Sequence, residues 1–151
     1  MNGWLLVDKP DGVSSHDVVQ GARRWLRQRR VGHTGTLDPL ATGLLVLCIG
    51  AATRLSEYLL GASKAYRAVV RLGESTNSYD ADGEITAARP VNVDAARLTA
   101  ALRQFRGEIE QVPPAFSAIK SSGQRAYKLA REGKPAQLMA RRVHIEQISV
   151  I

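Results

Sequence analysis

Cysteine is almost missing from this chain of 151 residues, with Cys48 the sole example. One thiol cannot close an internal disulfide, so a disulfide-stapled scaffold is excluded and a reducing cytoplasm is the default compartment. Histidine is scarce as well. His16, His33 and His144 are scattered along the chain, and none stands at metal-ligand spacing from another, so no metal site is expected. The longest apolar run, residues 43–52, is far shorter than the roughly 20 residues a membrane span needs. The start of the chain lacks a signal-peptide layout, because Asp8 and Lys9 follow its short apolar run directly.

What is present is the balance of a folded protein: 44% hydrophobic and 23% charged residues. The length suits a single domain. Lysine and arginine number 21 against 14 acidic residues, for a net charge of +7. That excess points to a polyanionic partner, either nucleic acid or an acidic membrane surface.

The element pattern is mixed. Residues 4–7 read as a strand ending in the turn signal Asp8-Lys9-Pro10-Asp11-Gly12. Ser14 and Ser15 then cap a helix predicted to run to about Arg30, with Val18, Ala22, Trp25 and Leu26 at helical spacing. Residues 32–43 form a loop, and 44–49 read as a strand buried on both faces, with Cys48 a packed core thiol. A short helix over 53–60 stops at Gly61. Residues 64–72 alternate like a strand that places Tyr66, Ala68, Val70 and Leu72 on one face, with a short partner strand at 84–88 after a turn at 80–83. Asp94 caps a helix carrying Leu98, Ala101, Leu102 and Phe105, which Gly107 ends. The stretch 120–134 is basic and weakly helical, and 142–151 reads as a strand with a bulge near Gln147. Strands and helices mix without regular βαβ alternation, so the fold class is α+β, with a mixed, mainly antiparallel sheet and flanking helices. The last strand stops without a polar tail, as though it expects more sheet beside it.

The loop Gly32-His33-Thr34-Gly35-Thr36-Leu37-Asp38-Pro39-Leu40-Ala41-Thr42-Gly43 carries the most chemistry. Its one carboxylate, Asp38, sits between apolar Leu37 and Leu40 beside a proline, and could serve as nucleophile or base. The plainer alternative is an Asx-turn before Pro39. The loop lacks the Gly-Lys-Ser/Thr ending of a P-loop. Ser15-His16-Asp17 is no catalytic triad, since neighbours in the first turn of a helix diverge. Two basic clusters flank these features. On a helix reaching Arg30, Arg23, Arg27 and Arg30 would share one face suited to phosphates, or simply solvated. Lys120, Arg125, Lys128, Arg131 and Lys134 form a basic arm that could close on a polyanion, or be an ordinary surface helix.

The twelve-residue loop resembles the catalytic signature of the TruB family of tRNA pseudouridine synthases. Other segments resemble that family in order and spacing: Leu6-Val7-Asp8-Lys9-Pro10, Lys64-Ala65-Tyr66-Arg67, Ser78-Tyr79-Asp80-Ala81-Asp82-Gly83, Phe105-Arg106-Gly107, and Pro113-Pro114 with Ser117-Ala118-Ile119-Lys120. The resemblance implies an isomerase that converts uridine 55 of the tRNA T-loop to pseudouridine. The N1–C1′ bond breaks, the base turns, and C5 rejoins C1′, so no cofactor or metal is needed. It implies that Asp38 attacks or assists at the ribose, that Tyr66 packs against the flipped base, and that His33 contacts RNA at the vacated position. Without the resemblance, Tyr66 would be read as a core tyrosine and His33 as a loop-stabilising residue. Lys9 and Pro10 are assigned structural support, and the segment from about 117 to 134 resembles a thumb-like insertion that clamps the T-arm.

The resemblance also implies residues this chain does not contain. The family brings a later strand whose arginine pairs with the aspartate, and commonly ends in a small RNA-binding (PUA) domain. Residues 1–151 therefore correspond to the N-terminal portion of the catalytic domain. A desolvated carboxylate without its cation tends towards the neutral, non-nucleophilic form. Two alternatives follow: a catalytically incomplete fragment that grips the T-arm, and a guide-RNA-dependent synthase acting on rRNA. The expected partner is the tRNA T-stem-loop, with no membrane and no obligate protein partner, although the last strand is expected to accept further sheet.

Overall fold

The computed structural model describes residues 1–117, 119–121, 123–134 and 136–151. They fall into two compact units, residues 1–67 and 68–151.

The first unit is built on a three-stranded antiparallel sheet in the order β1-β3-β2, from β1 (Gly3–Lys9), β2 (Val31–His33) and β3 (Gly43–Ile49). Leu5 and Val7 of β1 alternate with outward residues, and Leu5 faces Leu47 across the ladder. Helix α1 (Ser15–Trp25) covers the inner face. Val19 and Ala22 of the helix, with Val31, Leu45 and Leu47 of the sheet, form the buried core, and Leu5, Val7, Val18 and Leu37 pack against it. The outer face is more open, so Leu44 is exposed while Leu45, Leu47, Cys48 and Ile49 are buried. The continuous apolar run of β3 thus marks the central strand of an antiparallel sheet, with one end unburied, not a strand covered throughout.

Helix α1 starts as its sequence demands. The Ser14 side chain accepts from the Asp17 amide, and Asp17 returns a bond to the Ser14 amide, closing a capping box. It ends sooner than the apolar spacing predicts, at Trp25, because the chain reverses to bring Val31 opposite Ile49 of β3. The reversal is a Schellman motif: Gln28 N–H donates to Arg23 O and Arg27 N–H to Arg24 O, with Arg27 left-handed at φ 50°. A 3₁₀ turn (Gly50–Leu55) and helix α2 (Ser56–Leu60), capped by Gly61, follow β3.

The second unit contains the hairpin β4 (Glu74–Thr76)–β5 (Ile85–Ala88), helix α3 (Ala95–Arg103), and strand β6 (Gly107–Gln111). Next come the small hairpin β7 (Lys120–Ser121)–β8 (Gln124–Arg125), helix α4 (Ala126–Arg131), and strand β9 (Arg141–Ile145), which pairs with β6. At the open end of the β4–β5 hairpin the Arg89 amide donates to Gly73 O at 2.7 Å, and Gly73 adopts φ +85°, where a Cβ would lie 2.7 Å from Arg89 O. Asp94 caps α3 by accepting from the Arg97 amide. All strand pairings among the described residues are antiparallel, as the α+β reading requires.

Three expectations fail in this unit or at its border. Residues 64–72 form no strand; the partner of β5 is Glu74–Thr76. Their alternation is real, but a strand needs a neighbour for its amides, and none lies beside them among the described residues. Tyr66 is accordingly 74% exposed instead of packed on a buried face. The final strand stops at Ile145, before the bulge expected near Gln147. Strand β6 was not anticipated, because Glu108 and Glu110 dilute its apolar signal; they find cross-strand partners in His144 and Arg142. Of the described side chains beyond Arg67, only Pro113 and Ala126 are buried.

Candidate active site

The loop between β2 and β3 lies at the end of the sheet where β1 also finishes, since Lys9 stands opposite Gly43. Pairing runs from Val31–Ile49 to His33–Leu47, and Thr34 N–H extends it to Val46 O. Gly32 and His33 thus belong to the strand, and the loop begins at least two residues later than its glycine and threonine content suggests. A lone apolar residue between Arg30 and Gly32 carried too little signal to reveal β2.

Asp38 is held by its neighbours. Leu37 packs its side chain against the core, and both of its backbone polar groups meet one hydroxyl. Leu37 N–H donates to Ser15 Oγ at 2.9 Å, and Ser15 Oγ donates to Leu37 O at 3.0 Å. On the other side, Pro39 O accepts from Lys9 Nζ at 3.0 Å and from the Gly12 amide at 3.0 Å. Lys9 is fully buried, and its ammonium also donates to Val13 O and Pro10 O at 2.7 and 2.9 Å. Three carbonyls thus take the three protons of one desolvated cation. Beyond Asp38, the Ala41 amide donates to Asp38 O, closing a turn.

Between these anchors the Asp38 side chain is exposed, and among the described residues its carboxylate has no hydrogen-bond or ion-pair partner. The Asx-turn alternative is not what the structure adopts. A carboxylate presented to solvent from a pinned backbone can attack, or accept a proton from, whatever docks over the loop.

His33, at the end of β2, is half-buried in the same loop region. Tyr66 belongs to the same unit, in a segment outside any helix or strand. Ser15, His16 and Asp17 diverge as expected: Ser15 reaches Leu37, His16 meets Gln20 at 3.0 Å, and Asp17 turns back to Ser14. The hydrogen bonds from Ser14 draw the Asp17 carboxyl below the usual range. Burial pushes the Cys48 thiol up, which suits an inert core residue.

The shared arginine face is not formed. With the helix finished at Trp25, Arg23 is half-buried and its Nη2 donates to Val31 O at 2.9 Å, tying α1 to β2. Arg30 donates through Nε to Thr53 Oγ1 at 2.7 Å. Arg27 sits on the left-handed turn and is exposed, as is Arg30. In the second unit Arg125 and Lys128 are exposed on β8 and α4, where Ala126 N–H donates to Ile119 O and Tyr127 N–H to Ser117 O. Ala118 of the quoted motif, and the side chains of Lys120 and Arg131, lie outside the described residues. The residues that sequence reasoning undervalued are Lys9 and Ser15. The available signal was a second serine after a helix cap, with no capping task left for it.

A family model described as the TruB family pseudouridylate synthase N-terminal domain matches residues 23–151. The chain belongs to the TruB family. A protein named tRNA pseudouridine synthase B from Cupriavidus pinatubonensis is 54% identical over the whole chain, which spans 48% of that relative. Proteins of the same name from Citrobacter koseri and Escherichia coli K12 are each 48% identical over the whole chain, again 48% of their length. The chain thus spans about half the length of the curated relatives it matches. Among solved structures it resembles a chain of a Cbf5-Nop10-Gar1 complex, with TM-score 0.57 and 25% identity over 93% of this chain and 32% of that one. It also resembles a chain of an H/ACA RNP bound to a substrate RNA containing 2′-deoxyuridine, with TM-score 0.52 and 27% identity over 74% of this chain and 30% of that one. The TruB family assignment therefore agrees with the α+β fold of a pseudouridine synthase. No helix among the described residues is long and apolar enough to cross a membrane.

Proposed function

We propose that this TruB-family chain is the N-terminal portion of a tRNA pseudouridine synthase catalytic domain, and that Asp38 is the nucleophile that isomerises uridine 55 of the T-loop. The observation that carries this reading is the Asp38 carboxylate, open to solvent on a backbone anchored on both sides by Ser15 and Lys9. The relatives named tRNA pseudouridine synthase B support tRNA as the substrate. In this mechanism the uridine leaves its stack and seats against the loop, with Tyr66 as the platform for the flipped base. Asp38 acts at the ribose while the N1–C1′ bond breaks and the C5–C1′ bond forms; C5 gives up its proton and N1 takes one up. His33 contacts the RNA where the base has left. The thumb-like segment from about 117 to 134 and the exposed Arg27, Arg125 and Lys128 contact phosphates. The chemistry redistributes bonds within one nucleotide, so the reading calls for no cofactor.

A second reading rests on the same carboxylate. Because Asp38 has no cationic partner among the described residues, the chain alone could bind the T-arm without turning uridine over. Tritium release from a T-stem-loop labelled at uridine C5, with the chain in excess, separates the two. Release that vanishes in Asp38→Asn supports the nucleophile; binding without release from the unaltered chain supports the gripping fragment. Release without guide RNA would also set aside a guide-dependent enzyme, a reading that the higher identity to the tRNA enzymes already disfavours.

A further inference from the structure

Ser15 stands in the first turn of α1, directly after the Ser14 cap, and is 2% exposed. Capping is already complete without it, since Ser14 and Asp17 satisfy each other. A buried hydroxyl adjacent to a finished cap requires another partner. Its partner is 22 residues away: Ser15 Oγ accepts from Leu37 N–H at 2.9 Å and donates to Leu37 O at 3.0 Å. Leu37 precedes Asp38 and also packs its side chain against the core. One hydroxyl and one apolar contact therefore fix the peptide unit from which the Asp38 side chain departs.

We propose that Ser15 is a positioning residue for Asp38: its hydroxyl clamps both backbone polar groups of Leu37 and so fixes the direction in which the Asp38 carboxylate is presented. This rests on the reading of Asp38 as the nucleophile. Ser15 touches no reacting atom. Its effect passes through the 37–38 peptide, where a displacement of about 1 Å at the attacking group can cost on the order of 10²-fold in rate. The geometry selects a hydroxyl in particular. Alanine removes donor and acceptor together, whereas threonine keeps both and adds one methyl group.

The test compares the unaltered chain, Ser15→Ala and Ser15→Thr in two ways. The first is single-turnover tritium release from the T-stem-loop, with its dissociation constant measured in parallel. The expected result for Ser15→Ala is a rate lowered by about 10- to 100-fold with RNA affinity unchanged, and substantial recovery in Ser15→Thr. The second is backbone amide relaxation and hydrogen exchange at Leu37 and Asp38 by NMR, which needs no turnover. There, Ser15→Ala is expected to lose protection at Leu37 and order at Asp38, while the sheet amides of β1 and β3 stay protected. Full rate in Ser15→Ala, or an unchanged order parameter at Asp38, overturns the positioning role. If the unaltered chain releases no tritium, or Asp38→Asn still does, the nucleophile reading fails instead, and the NMR comparison still decides what Ser15 does to residue 38. A general loss of protection in Ser15→Ala that Ser15→Thr does not reverse would make Ser15 a residue of overall stability, and would also overturn the proposal.

Discussion

Lys9 and Pro39, 30 residues apart in sequence, are joined by a 3.0 Å bond from the buried ammonium to the proline carbonyl. The same ammonium holds Pro10 O and Val13 O, so the end of β1, the turn after it and the loop meet at one cation. Replacing Lys9 with Met keeps much of the apolar stem and removes all three charge-assisted bonds. Each such bond is worth about 1.5–3 kcal/mol, and the carbonyls left behind only partly regain water. The expected destabilisation is about 3 kcal/mol or more, read as a lower urea midpoint. Arg is not expected to rescue, because a planar guanidinium cannot reproduce the threefold fan of the ammonium. A midpoint within experimental error of the unaltered chain would show that the loop is held by other contacts.

Arg27 occupies the left-handed position of a Schellman motif, with φ 50°. Glycine is the residue that this position favours, because a Cβ there crowds the backbone. Arg27→Gly is therefore expected to stabilise the fold by up to about 1 kcal/mol, the left-handed penalty less the extra chain entropy of glycine. Thermal unfolding measures it. A fall in the midpoint would mean that the arginine side chain contributes more than its backbone strain costs.

These two residues show what could be read in advance. The cap at Ser14, the turn after Lys9, the loop and the core stripe Val18–Ala22 were legible because each is a local pattern with a local cause. The end of α1 was not. Trp25 and Leu26 continue the helical spacing, and only the pairing of Val31 with Ile49 forces the chain to reverse. The arginine face depended on that missed boundary, and so Arg23 and Arg30 turned out to hold Val31 and Thr53. Asp38 was legible as a candidate from its setting. Its anchors were not, because Ser15–Leu37 and Lys9–Pro39 are contacts that spacing along the chain cannot reveal. The alternation of residues 64–72 is a real pattern that makes no strand, since a strand is a property of two segments.

Stability in acid should carry the signature of the capping box. Hydrogen bonds from Ser14 lower the folded pKa of Asp17 below its ordinary 3.8. A carboxyl whose pKa is lower folded than unfolded contributes stability above the unfolded value, and loses it as pH falls through the folded value. Asp17→Asn removes that contribution. The unaltered chain is thus expected to unfold at a higher temperature than Asp17→Asn at pH 7, with the gap closing in strong acid below both values. A gap of equal size at pH 7 and pH 2 would show that charge on Asp17 plays no part in the cap.

The basic residues divide by what their side chains already hold, and this gives a prediction for RNA binding. Phosphate contacts release counterions, so affinity for a T-stem-loop should fall steeply with salt, by a slope of roughly 0.7–0.9 per contact on logarithmic axes. Arg27 is exposed on its turn, whereas Arg23 is half-buried and bonded to Val31 O. Arg27→Ala is expected to weaken binding and to reduce the slope by about one contact. Arg23→Ala should leave the slope unchanged and instead cost about 1–2 kcal/mol of stability, because Val31 O loses its partner. Filter binding at four or five salt concentrations, alongside thermal unfolding, distinguishes the two. If Arg23→Ala flattens the salt dependence while Arg27→Ala does not, the assignment of roles to the two arginines is reversed, and the RNA lies along the helix and not across its terminal turn.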